Sequence, residues 1–427
     1  MRRRLAAVGL AALVAWSATG CDGVAGDEVR VLVAGDPAEL AAYGAVVDAF
    51  HRAQDDLRVR LEGVAARDDL IARLATSIAV GDPPDAFLLN YRFVGSFVTT
   101  DVVAPLDARL AASSAFGPED FSRAPLEAFR FAGRQMCLPQ NAASLVVYWN
   151  RDLFEEAGLA PPAAGWGWDE MVGAAEALTD DVDGDGTVDR YGLGVEPELL
   201  RLAPAIWSNG GELVDDPAAP TRLAVRSTAA LGAIRRFLEL RAVHGVTPPE
   251  EEAESEDLVS RFASGRLGML MESRRVVPTL REAAAFRWDV APFPTIRRPA
   301  SVLHTDGYCL TAGSPRIDGA WRFLEFALGP EGQRIMAETG RTVPSLVEVA
   351  ASDAFLDRSQ DPPSSEVYLD QLAVARPVPA SPSWARVEDA ANAILEEAYY
   401  EPASRAEAAE VAIALLRATG PLFAERA

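Results

Sequence analysis

The chain has 427 residues, 49% of them hydrophobic, and 63 acidic against 40 basic side chains give it a formal net charge of −23. At roughly 150 residues per domain this is length for two or three domains, and the mixed composition excludes a disordered chain. No lysine is present, so every cationic Lys/Arg position is arginine. A chain this acidic lacks the clustered positive charge that a phosphate backbone requires, so no nucleic-acid partner is expected.

The first residues, MRRR, are basic, and LAAVGLAALVAW after them is apolar but too short to span a bilayer comfortably. With the small residues of SATG this reads as a secretory signal over residues 1–20. Cys21 directly follows Ala18-Thr19-Gly20, the arrangement of a bacterial lipobox, so its thiol is expected to carry lipid and residues 21–28 to form a tether to the membrane. Two further cysteines, Cys137 and Cys309, would meet an oxidising compartment. A disulfide and a pair of buried thiols both remain open, because spacing alone does not bring their Cα atoms within about 7 Å.

Past the tether, EVRVLV (28–33) alternates as a strand, and residues 38–51 place Leu40, Tyr43, Val46, Val47 and Phe50 at helical spacing. LRVRLEGV (57–64) predicts a second strand, DDLIARLATSIAV (68–80) an amphipathic helix, and Ala86-Phe87-Leu88-Leu89 a short buried strand. This β-α-β-α-β order predicts an α/β layer with a mostly parallel sheet. The second half again mixes strands and helices, with a strand at 146–149, helices at 152–157, 169–178 and 228–243, and an acidic stretch at 250–257. A helix follows at 258–262, then a strand at 268–271 and helices at 317–327 and 331–338. The tail from 386 to 425 reads as helix, broken at Glu401-Pro402.

DVDGDGTVDRYGLG (181–194) looks like half of a calcium loop. Asp181, Asp183, Asp185 and Asp189 occupy positions 1, 3, 5 and 9, and Thr187 offers a carbonyl at 7. A full loop needs a bidentate carboxylate at position 12, which here is Gly192, so the missing ligand would come from Glu196 or a distant residue. Weak structural calcium and an aspartate-rich turn that binds nothing both stay open, and no other cofactor is required. The pattern H-E-x-x-H, the pattern G-x-S-x-G and a phosphate-binding P-loop are all missing, and His51, His244 and His304 stand isolated.

Several segments together resemble one family, the extracellular solute-binding proteins of the sugar-binding, maltodextrin-like type. GRQMCLPQNAASLVVYWNRDLFEEAGL (133–159) is similar to its glycine–proline segment and L-F-x-x-A-G helix, and Trp168-Asp169-Glu170 to the helix start that follows. The acidic turn with WSNGGELVDD (207–216), RFASGRLGMLMES (261–273), WDVAPFPT (288–295) and DGYCLTAGSPRIDGAWRFLEFALGPEGQ (306–333) follow in the family's order. Gln135-Met136-Cys137 and Glu272-Ser273-Arg274 depart from its usual residues.

The resemblance implies an α/β chain of two lobes, each a mostly parallel sheet flanked by helices, with ligand in the cleft between them. Lobe one would comprise residues 29–139 plus 305–345, and lobe two 140–304 plus 346–427. The crossings near Pro139 and Thr305 are where hinges belong, and Cys137 and Cys309 sit beside them, which makes a bridge between hinge strands conceivable. Sugar hydroxyls call for carboxylates, amides and guanidiniums, and sugar faces for aromatic rings. The candidates by position are Asn90, Tyr91 and Arg92 after the third strand, Gln140 and Asn141 after Pro139, and Trp207 and Asn209. Glu272 and Arg274, Asp306 at the return crossing, and Trp384 in the loop SPSWAR complete the set. The implied role is the solute-capturing component of an ABC importer. It would be non-enzymatic, monomeric and lipid-anchored, and would hand a sugar to membrane permease subunits. A secreted glycan hydrolase built on paired carboxylates and a sensor feeding a membrane kinase are the competing classes.

Overall fold

A computed structural model describes residues 28–401 and 407–424. The signal segment, Cys21 and most of the 21–28 tether lie outside the described residues, as do Pro402 and Glu425. Among the described residues no helix is long and apolar enough to cross a membrane.

The first lobe is built on strands β1 (Glu28–Ala34), β2 (Arg58–Val64) and β3 (Ala86–Asn90), joined by helices α1 (Pro37–Ala53) and α2 (Arg67–Ala79). Strand alternation buries Val29, Val31 and Val33 completely. Asp36 caps α1 by accepting the Glu39 N–H, and Pro37 occupies its first turn, where a missing N–H costs nothing. Asn90, the last residue of β3, caps the next helix, α3 (Tyr91–Val98), by accepting the Arg92 N–H. The sequence reading missed α3, whose short run YRFVGSFV mixes a glycine with β-branched and aromatic residues that blur the helical period.

The chain then crosses between lobes. β4 (Cys137–Pro139) belongs to the first sheet, β5 (Ala143–Ser144) to a small central sheet, and β6 (Val146–Asn150) to the second. The second sheet adds β7 (Tyr191–Gly194), β8 (Leu267–Glu272) and β9 (Trp288–Ala291), and α4 (Leu199–Ser208) packs against α5 (Thr228–Ala242). The return runs through β10 (Ser301–His304) in the central sheet to β11 (Asp306–Leu310) in the first. Strand orders are β2-β1-β3-β11-β4, β9-β6-β8-β7 and β12-β10-β5, with β12 at Ala375–Arg376.

The sheets are less parallel than expected. Pairing is parallel at β1–β2, β1–β3 and β7–β8, but β11 runs antiparallel to both β3 and β4, and β6 antiparallel to both β8 and β9. Strands that enter from the opposite lobe arrive head-on, and that reverses their sense.

Cys137 and Cys309 face one another across the β4–β11 pair, with Cα atoms 4.4 Å apart, and are bridged. The disulfide joins the outgoing and returning strands inside lobe one, both cysteines fully buried.

Helices α6 (Ile317–Leu328) and α7 (Pro330–Glu338) pack on α1. Two short helices, Val347–Ala350 and Asp353–Leu356, then pack on α7. The tail forms α8 (Trp384–Tyr400) and α9 (Ala408–Ala424), both against α5, while α8 also touches α3. The close approach there depends on Gly95, where any Cβ would collide with the Ala380 carbonyl.

Candidate functional site

A cavity of about 400 Å³ opens between the lobes. From lobe one it is lined by Asp36, just after β1, and by Arg341, in the loop after α7. Arg341 pairs with Asp36 at 2.6 Å and Glu39 at 3.0 Å, and it donates across the cleft to the Arg275 carbonyl at 3.5 Å. Glu39 is pushed up from the usual carboxylate range because burial, with Asp306 nearby, outweighs the pull of Arg341.

The opposite wall rises from β8 and the turn after it. Glu272 is 3% exposed and pairs with Arg201 of α4 at 2.8 Å and Arg275 at 3.0 Å. Arg201 also holds Glu196 at 2.9 Å. Burial opposes the Glu272 charge, but the two guanidiniums outweigh it and hold the carboxyl at about 2. Glu198 sits beside this group and is pushed up, chiefly by burial. Leu258, Val259, Leu270, Met271 and Val276 supply apolar surface, and the described lining contains no aromatic ring.

The hinge holds a separate network. Asp306 accepts from Asn90 Nδ2 and Asn141 Nδ2, both at 3.1 Å, and its own N–H donates to Asn141 Oδ1 at 3.0 Å. Thr305 Oγ1 donates to the Asn141 carbonyl. Gln140 is 2% exposed, and neither its Oε1 nor its Nε2 meets a partner among the described residues. Asn90, Asn141 and Asp306, which the sequence reading placed in the site, thus meet at the crossing. Desolvation of the His304 ring, with Arg92, Arg201 and Arg67 around it, holds it neutral, well below the usual imidazole range.

Other expected ligand residues are committed elsewhere. The Tyr91 hydroxyl donates to the Leu303 carbonyl and accepts the Val378 N–H. Arg92 is 4% exposed and ion-paired to Glu388, which also accepts from the indole of the fully buried Trp384. Trp384 begins α8 instead of lying in a loop. Trp207 is core, 2% exposed, with the Arg376 guanidinium 4.8 Å from its ring centroid. Asn209 ends α4 and donates to the Ala229 carbonyl. Arg274 points away from the cleft, its guanidinium 4.3 Å from the Phe355 ring centroid and 4.9 Å from that of Tyr368. It does not pair with Glu272, because successive residues of the Arg274–Val276 turn project to different sides, and Arg275 takes that place.

Sequence reading missed Asp36, Arg201, Arg275 and Arg341. Asp36 alone carried a local signal, an acidic helix cap directly after a strand.

In the aspartate-rich loop, carboxylate oxygens of Asp181, Asp183 and Asp189 lie within 4.8 Å of one another. Asp185 does not join that group. Asp181 accepts N–H groups of Gly184, Asp185 and Gly186, and Asp189 those of Val182 and Asp183. The loop is closed by the Asp180–Arg190 bridge, and Glu196, one of the two expected sources of the missing ligand, is engaged by Arg201 in the cleft.

The sequence profile of the bacterial extracellular solute-binding protein family matches residues 45–362. A binding protein of Brucella abortus is 25% identical over 385 residues, spanning 87% of this chain and 88% of its own. Among solved structures, an ABC substrate-binding protein from Listeria monocytogenes in complex with cycloalternan aligns with a TM-score of 0.83 at 21% identity, over 93% of this chain and 99% of its own. UgpB from Mycobacterium tuberculosis in complex with glycerophosphocholine aligns at 0.80 and 20% identity, over the same shares of the two chains. Two lobes, chain crossings through a central sheet and a lined cleft agree with that match: the chain belongs to the bacterial extracellular solute-binding protein family.

Proposed function

We propose that the protein captures a sugar in the interlobe cleft and delivers it to the membrane subunits of an ABC importer. The observation that carries this reading is Arg341, anchored to Asp36 and Glu39 in lobe one and reaching the Arg275 backbone in lobe two. A cavity walled from both lobes gives a ligand more contacts in the closed state than in the open one, which is what drives closure. Relatives whose structures contain cycloalternan, maltotriose and mannotriose support carbohydrate as the ligand class. Glu272, held ionised between two arginines, is a poor proton donor, which favours binding over glycan hydrolysis. Export as a monomer anchored through Cys21 completes the proposal.

A thermal-shift screen of the exported chain against mono- and oligosaccharides tests it. A ligand at 100 times its dissociation constant adds about 2.7 kcal/mol of stability, and small-angle scattering should show the lobes closing without turnover of the sugar. Binding without closure, or hydrolysis of the bound glycan, would overturn the reading.

A further inference from the structure

The charge of the cleft narrows the ligand beyond "carbohydrate". Asp36, Glu196, Asp257 and Glu272 line the cavity against two arginines, Arg275 and Arg341. Behind them stand Glu39 and Glu198, and one more arginine, Arg201.

The way these charges are shared matters more than their sum. In lobe one Asp36 and Glu39 divide a single guanidinium, that of Arg341. In lobe two Glu196, Glu198 and Glu272 divide Arg201 and Arg275. Asp257 spends its carboxylate on the Ser260 N–H and hydroxyl and pairs with no cation among the described residues. Each wall therefore keeps at least one carboxylate in excess, and the two walls face one another across the cavity. The buried Arg92–Glu388 ion pair is neutral in itself. Arg67 adds a cation near the hinge, where it lies against the Phe93 ring and not in the cavity lining.

Two consequences follow from elementary electrostatics. An anionic ligand meets three guanidiniums that each already hold a carboxylate among the described residues, so it would have to compete with those ion pairs for them. A cation bound between the walls cancels the excess on both sides at once, and that gain exists only when the walls are close. The cavity is near the lower end of the roughly 300–1,000 Å³ usual for ligand pockets, and among the described residues its lining offers no aromatic face on which to stack a long oligosaccharide. Recognition is left to hydrogen bonds and charge. The raised positions of Glu39 and Glu198 agree with a site that has more carboxylate than it can neutralise.

We propose that the cleft takes a small polyol bearing an amine, such as an amino sugar or aminocyclitol, and selects against phosphorylated and carboxylated analogues. This rests on the cleft being the ligand site, as proposed above.

The test is calorimetric titration with matched trios, the amino, neutral and phosphorylated forms of several monosaccharides and of inositol, at low and high salt. The expected result is an amine preferred over its neutral partner by at least about tenfold, reduced at high salt, with the phosphate not binding. Glu198→Gln should cut the preference several-fold. Neutral or phosphorylated members binding as tightly as amines would overturn the ligand class and leave the cleft reading standing. An amine preference that Glu198→Gln and Arg341→Ala both leave untouched would place binding outside this cavity and overturn both.

Discussion

The carboxylates of the 181–189 loop and those of the cleft are satisfied by different partners. In the loop, backbone N–H groups from within the same short segment do the work, and Asp181 alone takes those of Gly184, Asp185 and Gly186. Two of the cleft carboxylates, Asp36 and Glu272, are instead held by guanidiniums brought from far along the chain, Arg341 reaching Asp36 and Arg201 reaching Glu272. Local satisfaction by neutral dipoles gives a turn that is complete in itself. Satisfaction by distant charges gives a wall whose balance depends on the tertiary fold, and whose surplus is available to a ligand. The difference predicts a steep gradient in the cost of disturbing each region.

The largest effect should come at the buried triad. Arg201→Met leaves Glu272 with one cation in a site 3% exposed, and removing one partner of a buried ion pair costs about 3–5 kcal/mol. The double variant Arg201→Met, Glu272→Leu should recover most of that loss, since apolar replacement of a whole buried pair is close to neutral. Urea unfolding of both variants checks this. A double variant as unstable as the single one would show that packing, not charge, sets the cost.

Acid should find the same group. Glu272 has its folded carboxyl held at about 2 against an ordinary value of 4.5. A depressed folded value means that the stabilisation is present above pH 4.5 and is lost as pH falls from there toward 2. The shift corresponds to about 3 kcal/mol. In Glu272→Gln that portion of the acid slope should vanish, and an unchanged slope would refute the assignment.

At the cleft mouth the effect should be smaller for stability and larger for binding. The side chain of Arg341 is 16% exposed and its partner Asp36 46%. Charge-assisted hydrogen bonds of this kind contribute about 1.5–3 kcal/mol, so Arg341→Ala should cost about 2 kcal/mol on unfolding. It also removes the side chain that spans the cavity and uncovers Asp36 and Glu39, so ligand affinity should change while the loop variants below leave it unchanged. Equal affinity in Arg341→Ala would break the contrast between the two regions.

How much of this was legible beforehand follows from the same contrast. Strand alternation in EVRVLV and LRVRLEGV, and the helical spacing of 38–51, are local patterns, and the structure has those elements with only small differences at their ends. Asn90 was legible as the polar end of an apolar strand, Asn141 from its place in the loop after Pro139, and Asp306 from its place at the return crossing. The pairing of Arg341 with Asp36 was not, because nothing local relates residues so far apart in the chain; only the fold closes that distance. Tyr91, Trp207 and Trp384 were misplaced for the converse reason. An aromatic beside polar residues reads as a ligand platform, but the packing of α8 and α9 buried Trp384 and core packing took Trp207. The aspartate loop was fully legible as a turn, since its partners are its neighbours.

The smallest effects should lie in that loop. Asp181→Asn keeps the shape and weakens its acceptor contacts to exposed N–H groups, for an expected loss of about 0.5–1.5 kcal/mol and no change in ligand affinity. Calcium then decides whether the loop is only a turn. Convergent carboxylates without a ligand at position 12 would bind at the weak extracellular end of calcium affinity, with a dissociation constant of about 10⁻⁴–10⁻³ M. By mass action about 1 mM calcium would add about 0.4–1.4 kcal/mol, abolished in Asp181→Asn and not reproduced by magnesium. A thermal midpoint that calcium and magnesium leave equally unmoved would mean the backbone N–H groups have already taken the oxygens an ion would need, and the loop is held by its own dipoles alone.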